Sequence, residues 1–360
     1  MNIIICCDFL MTRTQTQKHH LNWFDIIVSR AISNASNIKS SSFISDINGE
    51  GTFSRKKFFS LSKVNLDEET THFYFSSDDI TDESISYLKT FIDGSLIIGY
   101  EMSEQTREVL KRVGCDYIDI WLHPIRFLDD NFFAFTSSND LVMKKMISHE
   151  IKEDVFYLYA DKLKIQSFMG WDKFKKRVDD VIEPNSCLFV GQTLTDKAVC
   201  REGKMLTILD FKDDFEELTK RYNHVYYSPH PMLRGDDGEL RKYLNAFHNV
   251  TITDIPGYQL LCSEHIDMVA SISSSLVYES VFFGKKSKFL YRPIVPIHAS
   301  LDVYPCKYIS IYNKLHSKKF WADILSPLVD VSPVVEDADF LTSSDNYRDM
   351  LSLYYNNSVF

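Results

Sequence analysis

A carboxylate follows a predicted buried strand near the middle of the chain. The apolar residues 187–190 end at Gly191, and a polar stretch from Gln192 to Asp196 comes next. A carboxylate held over the end of a strand can act as a general base or as a nucleophile. Thr195 or Asp196 can equally cap a turn or a helix, so this motif alone leaves both interpretations open.

A histidine between two prolines follows another predicted strand. Residues 224–227 lead into Ser228-Pro229-His230-Pro231. Because each proline fixes its own φ, the imidazole is held in place, where it can hydrogen-bond or protonate a leaving phosphate. The competing interpretation is an ordinary surface turn.

Three consecutive serines open a predicted helix after a third strand. Ser273, Ser274 and Ser275 follow the apolar residues 268–272. Free N–H groups and hydroxyls at a helix start are suited to phosphate. Glu279 lies four residues after Ser275 on the same helix face, where it can reach ribose hydroxyls. A plain N-cap in front of a core helix would produce the same pattern.

The first half of the chain offers weaker candidates. Glu101 follows the predicted strand 95–100, and His123 and Arg126 follow another strand. We expect these three side chains to face a cleft. The planar guanidinium of Arg126 suits bidentate binding of a carboxylate ligand. A surface salt bridge and a turn histidine are the alternatives.

Strands and helices alternate through the second half of the chain, and the three motifs all fall at strand ends. The predicted strands are 187–191, 206–209, 224–227, 250–253, 268–272 and 288–291, and the predicted helices are 213–221, 237–247, a short one from Gly257, and 274–283. Such alternation is typical of a parallel, doubly wound sheet, whose ligands bind at the carboxyl ends of its strands.

The first half also has an α/β pattern. The predicted strands are 2–8, 71–75, 95–100, 117–121 and 132–135, with helices at 21–32 and 103–113. Residues 34–65 are rich in Ser, Asn and Lys and are expected to form a long surface insertion. The pattern is helical over 141–181, and a break at 183–186 predicts a boundary between domains 1–183 and 184–360.

Charge and composition narrow the classes of function. The chain has 360 residues and a formal net charge of -10, so nucleic acid is not expected as a partner. Seven scattered cysteines without Cys-x-x-Cys spacing fit a reducing cytoplasm. No apolar run approaches the ~20 residues of a membrane span, so any membrane contact would be peripheral.

Common catalytic fingerprints do not occur in the sequence. It lacks a Walker A motif, a Gly-x-Gly-x-x-Gly fingerprint and a Gly-x-Ser-x-Gly elbow, which disfavours kinases, dehydrogenases and hydrolases. Asp337-Ala338-Asp339 matches the pattern of metal-dependent transferases but lies outside the predicted sheet, where a solvated loop or helix cap explains it. No metal and no cofactor are therefore expected.

The order of the motifs resembles that of bacterial glycosyltransferases that use CMP-activated sugars. Gly191-Gln192-Thr193 with Asp196, then His230-Pro231 and the serine helix, resemble more specifically the retaining β-Kdo transferases of lipopolysaccharide O-antigen and capsule assembly. The stretch 123–127 adds to this likeness, which covers most of residues 90–290. The resemblance implies an α/β fold of GT-B type, with two Rossmann-like domains facing across a cleft.

The resemblance also implies a role for each motif. A carboxylate at the position of Asp196 would be the nucleophile, giving a glycosyl-enzyme intermediate and net retention. His230 would assist the departure of CMP, and Glu101 is a further catalytic candidate. The expected nucleotide contacts are Gln192, Pro231, Ser273, Ser274, Ser275, Glu279 and, in a base-binding loop, Tyr258. Substrate contacts are expected from His123 and Arg126.

The implied partners are a CMP-activated acidic sugar, a glycan or lipid-linked oligosaccharide acceptor, and other polysaccharide-assembly transferases. Domain 1–183 would take the acceptor and domain 184–360 the CMP-sugar. Two alternatives stay open. An inverting CMP-sialic or related nonulosonic acid transferase would use Asp196 as a general base, and a non-catalytic module would bind nucleotide or glycan on the same scaffold.

Overall fold

The computed structural model describes residues 1–46, 52–64, 75–130, 132–171, 178–193, 197–201, 204–230, 238–296, 308–312 and 314–333. The described residues divide into two compact units. Unit 1 takes those within 1–123, 132–151 and 295–333, and unit 2 takes those within 124–130 and 152–294.

Strands and helices alternate in both units. The strands are β1 (Asn2–Cys7), β2 (Ser41–Phe43), β3 (Ser45–Asp46), β4 (Phe53–Ser54), β5 (Ser95–Tyr100), β6 (Tyr117–Leu122), β7 (Phe133–Ser137), β8 (Ser186–Val190), β9 (Cys200–Arg201), β10 (Lys204–Met205), β11 (His224–Ser228), β12 (Val250–Ile252), β13 (Ile266–Ser271), β14 (Lys286–Phe289) and β15 (Ile309–Ile311). The α-helices are α1 (Thr14–Ser36), α2 (Arg55–Ser60), α3 (Asp82–Ile92), α4 (Glu104–Val113), α5 (Asp140–Ile147), α6 (Asp154–Trp171), α7 (Lys212–Arg221), α8 (Gly238–Leu244), α9 (Gly257–Cys262), α10 (Leu276–Phe282) and α11 (Lys318–Leu325). Within the described ranges, no helix has the length and apolar character needed to cross a membrane.

Unit 1 is built on a six-stranded sheet in the order β15-β7-β6-β5-β1-β2. The strands β1, β2, β5 and β6 run parallel, whereas β7 pairs antiparallel with β6 and with β15. Every residue of β5 and β6 is buried, as expected for the central strands of a parallel sheet. The carboxyl ends of β1, β5 and β6 therefore meet at one edge of unit 1.

Helix α1 buries the face that its sequence predicts. Leu21, Phe24, Ile27, Val28 and Ile32 are all buried, because residues three and four apart share one side of a helix. The predicted helix at 103–113 is confirmed as well. The Ser103 hydroxyl accepts a hydrogen bond from the backbone N–H of Thr106, and the helix ends at Gly114 in the left-handed region.

The prediction of a surface insertion at 34–65 is wrong for its described residues. The strand β2 extends the unit 1 sheet beside β1, and Phe53, Phe58 and Phe59 are fully buried. Their rings contact each other, with centroids 5.5 Å apart for Phe53 and Phe58. Aromatic side chains bury a large apolar area each, and these three outweigh the polar character of the residues around them.

Unit 2 is built on a five-stranded, fully parallel sheet in the order β12-β11-β8-β13-β14. The parallel, doubly wound sheet predicted for the second half is confirmed. In chain order β8 comes first, β11 and β12 are added on one side of it, and β13 and β14 on the other. The switch point therefore lies between β8 and β13, where a ligand crevice is expected outside the strand ends.

The predicted strand at 206–209 is wrong. The strand β10 ends at Met205, and residues Ile208–Phe211 form a 3₁₀ helix instead. The carboxylate of Asp210 accepts hydrogen bonds from the backbone N–H and the hydroxyl of Thr207, at 2.8 and 3.1 Å. This reciprocal cap stabilises a helical turn over an extended strand.

The two units are not two successive stretches of chain. Helix α6 belongs to unit 2 although it precedes residue 184, whereas β15 and α11 belong to unit 1. The strand β15 pairs with β7, and α11 packs against α1 and α5. Because β15 pairs with the edge of the first sheet, the chain returns to unit 1 after completing the unit 2 sheet. No local sequence pattern predicts this return.

Candidate functional site

Gln192 and Ser273 meet at the switch point of the unit 2 sheet. The side-chain oxygen of Gln192 accepts a hydrogen bond from the backbone N–H of Ser273 at 2.7 Å, and its amide nitrogen donates to the Ser273 hydroxyl at 2.9 Å. The Ser271 hydroxyl donates to the carbonyl of Val190 at 2.7 Å. Because β8 and β13 are parallel neighbours, two of the predicted motifs, 81 residues apart, lie at one edge.

The three serines of the third motif differ in what they can offer a ligand. The hydroxyl of Ser273 donates to the carbonyl of Ala198 at 2.6 Å, and the residue is only 6% exposed. The N–H of Ser274 donates to the Ser271 hydroxyl at 3.3 Å. Among the described residues, neither the N–H nor the hydroxyl of Ser275 has a hydrogen-bond partner.

The helix that follows these serines starts later than the sequence predicts. It begins at Leu276 rather than at residue 274. The N–H groups of Val277, Tyr278 and Glu279 already donate to the carbonyls of the two preceding serines. Among the described residues, the donors left at this helix start are therefore the N–H and hydroxyl of Ser275 and the hydroxyl of Ser274.

His230 lies two residues beyond the end of β11, at the same edge of the sheet. The strand β11 is the parallel neighbour of β8, and the N–H of Gly191 donates to the carbonyl of Ser228 at 2.8 Å. The chain that leads to His230 therefore runs beside the chain that leads to Gln192. Pro231 and Asp196 lie outside the described residues, and their roles stay predictions.

Glu279 joins two other predicted residues in one cluster. It is 1% exposed, and one of its carboxylate oxygens accepts hydrogen bonds from the backbone N–H of Arg126 at 2.5 Å and from the Tyr258 hydroxyl at 2.7 Å. The ring of Phe127 packs edge-on against that of Phe283, with centroids 5.4 Å apart. One oxygen of Glu279 is therefore already used as an internal acceptor.

A pocket of about 220 Å³ opens beside Gln192 in unit 2. Its walls combine apolar side chains with a few polar ones, as is usual for small-molecule sites. The lining residues are Phe189, Val190, Gly191, Gln192, Thr193, Leu206, Thr207, Ile208, Leu209, Tyr227, Glu239, Leu240 and Ile272. Since Gln192 and Ile272 belong to this wall, the pocket adjoins the switch point.

Gly191 lies in the pocket wall at a position where a larger side chain would overlap its neighbours. A Cβ at this position would overlap the Tyr227 hydroxyl and would come within 3.1 Å of the Ser228 carbonyl. Tyr227 is buried and lies beside Phe189, with stacked rings 6.0 Å apart. The absence of a side chain at Gly191 thus allows the Tyr227 hydroxyl to lie against the backbone at the end of β8.

The wall formed by residues 206–209 is held by the Asp210 cap. The hydrogen bond that Lys204 donates, followed by that from the Thr207 N–H, lowers the pKa of the Asp210 carboxyl from its usual range. A lowered pKa means that this carboxylate contributes stability at neutral pH, and the contribution is lost as pH falls through the folded-state pKa. The Lys204 ammonium lies 2.8 Å from Asp210.

The predicted residues of unit 1 occupy different surroundings. Glu101 follows β5 with a φ of 50°, a left-handed conformation that is uncommon outside glycine. Its N–H donates to the carbonyl of Ile120 at 2.9 Å. His123 is fully buried, stacks on Phe132 with ring centroids 3.8 Å apart, and lies 2.9 Å from the Ser310 hydroxyl. Its observed contacts are therefore those of a core residue.

Several pocket residues were missed by sequence reasoning. Glu239 and Tyr227 line the pocket; Glu239 belongs to no predicted motif, and Tyr227 belongs to the strand before His230 but was assigned no role. The signal for Tyr227 was its place at the end of a predicted strand beside His230. For Glu239 no sequence signal exists, since only the folded chain brings α8 to this edge.

No group of three His, Cys, Asp or Glu side chains within the described ranges is placed to hold an ion. Asp337 and Asp339 fall outside these ranges.

No protein-family model matches the sequence, and no curated protein sequence matches it. Among solved structures, a β-Kdo 2,7 transferase structure of KpsC from Thermosulfurimonas dismutans matches with a TM-score of 0.36 and 14% identity, over 59% of this chain and 70% of the other. A β-Kdo 2,4 transferase structure of KpsC from the same organism matches with a TM-score of 0.31 and 14% identity, over 54% and 67%.

A third matching structure is that of a protein with a different name and function. A dipicolinate synthase structure from Bacillus halodurans matches over 91% of this chain and 97% of its own, with a TM-score of 0.20 and 8% identity. TM-scores and identities this low carry no argument about activity, which therefore depends on the residues of this chain.

Proposed function

We propose that this chain is a glycosyltransferase that takes Kdo from CMP-β-Kdo and transfers it to a glycan acceptor with retention, in bacterial surface polysaccharide synthesis. One observation carries the proposal. Gln192 and Ser273 meet at the switch point, close in sequence to Ser275, whose donors have no partner among the described residues, and a pocket of about 220 Å³ opens beside Gln192. Doubly wound sheets bind their ligands in this crevice, and the motif order supplies the donor class.

In this proposal the donor phosphate contacts the serine segment. The N–H and hydroxyl of Ser275 and the hydroxyl of Ser274 donate to phosphate oxygens, whereas Ser273 positions the segment through Gln192. Hydroxyl and N–H groups suit an anion because they donate hydrogen bonds to its charged oxygens. Pro231 and the Glu279–Tyr258 pair border the nucleotide, and Glu279 is the proposed contact of the ribose.

His230 assists the leaving group. As CMP departs, negative charge grows on its phosphate, and an imidazolium at the end of β11 can hydrogen-bond that phosphate or protonate it. This help is realised in the transition state more than in the bound ground state. With hydroxyl, N–H and imidazole donors on the phosphate, the proposed reaction needs no metal.

Asp196 is the proposed nucleophile. Its carboxylate attacks the anomeric carbon as the bond from that carbon to the phosphate oxygen breaks, which gives a glycosyl ester and CMP. An acceptor hydroxyl then displaces the carboxylate and releases its proton. Two displacements restore the starting configuration, whereas one displacement with Asp196 as a base would invert it, as in glycosidases.

The acceptor side is proposed to come from the first half of the chain. Arg126 would bind the sugar carboxylate through its guanidinium, with Glu101 as a further catalytic group. His123, predicted to contact the substrate, is buried against Phe132 and would support this region from the core. A GT-B arrangement would give an acceptor domain at 1–183 and a donor domain at 184–360. The acceptor would be a glycan or lipid-linked oligosaccharide, handled at the cytoplasmic side of the inner membrane with other polysaccharide-assembly transferases.

Two alternative functions are compatible with the same site. An inverting CMP-sialic or nonulosonic acid transferase would bind the same nucleotide and give a product of opposite configuration. A non-catalytic nucleotide- or glycan-binding module would bind CMP and release none from a donor.

The test uses the intact chain mixed with CMP-Kdo. We expect CMP release and, by intact-protein mass spectrometry, a population heavier by one Kdo residue. Asp196→Ala should lack the heavier species, and the exposed Asp213→Ala should keep it. His230→Ala should slow CMP release by ~10²–10⁴-fold with little change in CMP affinity.

The outcomes separate the three functions. A retained product with the adduct supports the proposal. An inverted product by NMR supports the general-base alternative. The absence of CMP release from both CMP-Kdo and CMP-sialic acid, with CMP still bound, identifies the binding module.

A further inference from the structure

The pocket beside Gln192 is lined by a carboxylate that the proposed mechanism does not use. Glu239 lines the wall next to Leu240. Among the described residues, its side chain has no hydrogen bond or ion pair. It is exposed in the first turn of α8, where the helix dipole favours a carboxylate, and its side chain is held by no salt bridge within the described ranges. A carboxylate in the pocket wall whose acceptors have no partner in the described part of the chain is available to bind a polar group of a ligand.

The rest of the wall is largely apolar and is compatible with the ring of a base. Phe189, Leu206, Ile208 and Ile272 supply apolar surface, and the volume of about 220 Å³ leaves room for a pyrimidine. Polar groups on such a ring must find partners at the rim, because an unpaired polar group loses its hydration without compensation. The partner that Glu239 offers is an acceptor only, since an ionised carboxylate has no proton to donate.

This acceptor distinguishes two pyrimidines. Cytosine carries an amino group at C4, which donates hydrogen bonds, and carboxylates accept from that amino group in base recognition. Uracil carries a carbonyl oxygen at the same place, which a carboxylate would repel. The pocket therefore fits an amino-bearing pyrimidine better than its carbonyl analogue.

The loop at 256–258, predicted to bind the base, is otherwise engaged. The Tyr258 hydroxyl donates to Glu279 at 2.7 Å, and Gly257 packs so closely on Leu276 that a Cβ there would come within 2.9 Å of its side chain. The pocket, in contrast, shares Gln192 with the switch point. Its position suits the base of a nucleotide whose phosphate contacts the serine segment.

We propose that Glu239 is the residue that selects cytosine over uracil, by accepting the C4 amino group of the base in the pocket beside Gln192. The inference rests on the proposed function only in that a pyrimidine nucleotide binds at this edge. It assigns the base to this pocket and leaves Tyr258 as a partner of Glu279.

The experiment compares CMP and UMP binding by calorimetry with the full chain. The wild type should bind CMP ~10–100-fold more tightly than UMP. Glu239→Gln can both donate and accept, so the two affinities should come within about threefold of each other. Glu239→Asp, which keeps the acceptor, should retain part of the preference. The exposed Glu264→Gln is the matched control and should leave the ratio unchanged, as should Tyr258→Phe.

Each outcome decides the inference. A preference that disappears only in Glu239→Gln supports it. A preference that survives Glu239→Gln, one that disappears in Tyr258→Phe instead, or equal binding of CMP and UMP by the wild type overturns it while the nucleotide site stands. Failure of the wild type to bind either nucleotide removes the proposed function, and the inference with it.

Discussion

The carboxyl edges of the two sheets both carry polar side chains, but those side chains are engaged differently. In unit 1, Asp8 is 1% exposed and accepts hydrogen bonds from the N–H groups of Met11 and Ser103, at 3.1 and 3.0 Å, and from the Thr106 hydroxyl at 2.6 Å. In unit 2, Ser275 has free donors among the described residues, and the pocket opens beside Gln192 at the same edge.

A second carboxylate of unit 1 is bonded still more fully. Asp119 is completely buried. It accepts from the N–H of Met102 at 3.0 Å, the guanidinium of Arg107 at 2.6 Å, the indole of Trp121 at 2.8 Å and the hydroxyl of Tyr308 at 3.1 Å. Carboxylates of this kind hold the loops and helices of unit 1 to its strands.

Structural and ligand-binding residues at a sheet edge can be separated by their hydrogen bonds. A polar residue after a strand is found in both units, so its position alone says little. What differs is whether its hydrogen-bonding capacity is already used by the protein. At Asp8 and Asp119 unit 1 uses that capacity to stabilise the fold, whereas at Ser275 unit 2 leaves part of it without a partner among the described residues.

The largest effect is expected from Asp119→Ala. Its removal leaves the guanidinium of Arg107, which is 8% exposed, without its charge partner. Breaking a buried pair from one side costs about 3–5 kcal/mol of unfolding free energy. Urea unfolding followed by circular dichroism measures the loss, and CMP affinity of the folded variant should be unchanged.

Asp82→Ala is the matched control for this variant. Its ion pair with Arg112 is exposed, with 97% of the Asp82 side chain accessible, so the loss should stay within about 1 kcal/mol. An Asp119→Ala protein as stable as the control, or one that keeps its stability and loses CMP, would show that the unit 1 edge also serves a ligand.

A smaller effect is expected from Gly191→Ala. The added methyl group must displace the Tyr227 hydroxyl, and overpacking of this kind costs about 1–3 kcal/mol. Because both residues line the pocket, CMP affinity should fall as well. The control is Gly238→Ala, where a Cβ meets no atom within 4 Å. Equal stability and CMP affinity in the two variants would contradict the placement of the ligand beside Gly191.

Much of the unit 2 fold follows from sequence. Each of β8, β11 and β13 is a short, mostly apolar run that is followed by polar residues. The hydrophobic pattern and the turn-forming residues at its ends suffice to predict such a strand. The nearness of Gln192 to Ser273 follows too, since parallel neighbours end at the same edge. The sequence does not show that the Ser273 hydroxyl is already bonded to Ala198, because that depends on a loop.

Other features depend on contacts between distant segments. The Ser-rich composition of 34–65 masked the aromatic cluster around Phe53, and the turn at Thr207 replaced a predicted strand because of one capping carboxylate, that of Asp210. His123 has the sequence context of a cleft residue, yet tertiary packing buries it against Phe132. Burial of single polar residues cannot be obtained from local patterns.

Hydrogen–deuterium exchange with and without saturating CMP, read by mass spectrometry on peptides that cover both sheet edges, tests directly whether the ligand binds at unit 2. We expect slower exchange at residues 190–193 and 271–276 in unit 2, including the N–H of Ser275, and unchanged exchange at 8–12 and 101–107 in unit 1. Protection confined to the unit 1 segments, or no protection at either edge while CMP is bound, would contradict a CMP site at the unit 2 switch point.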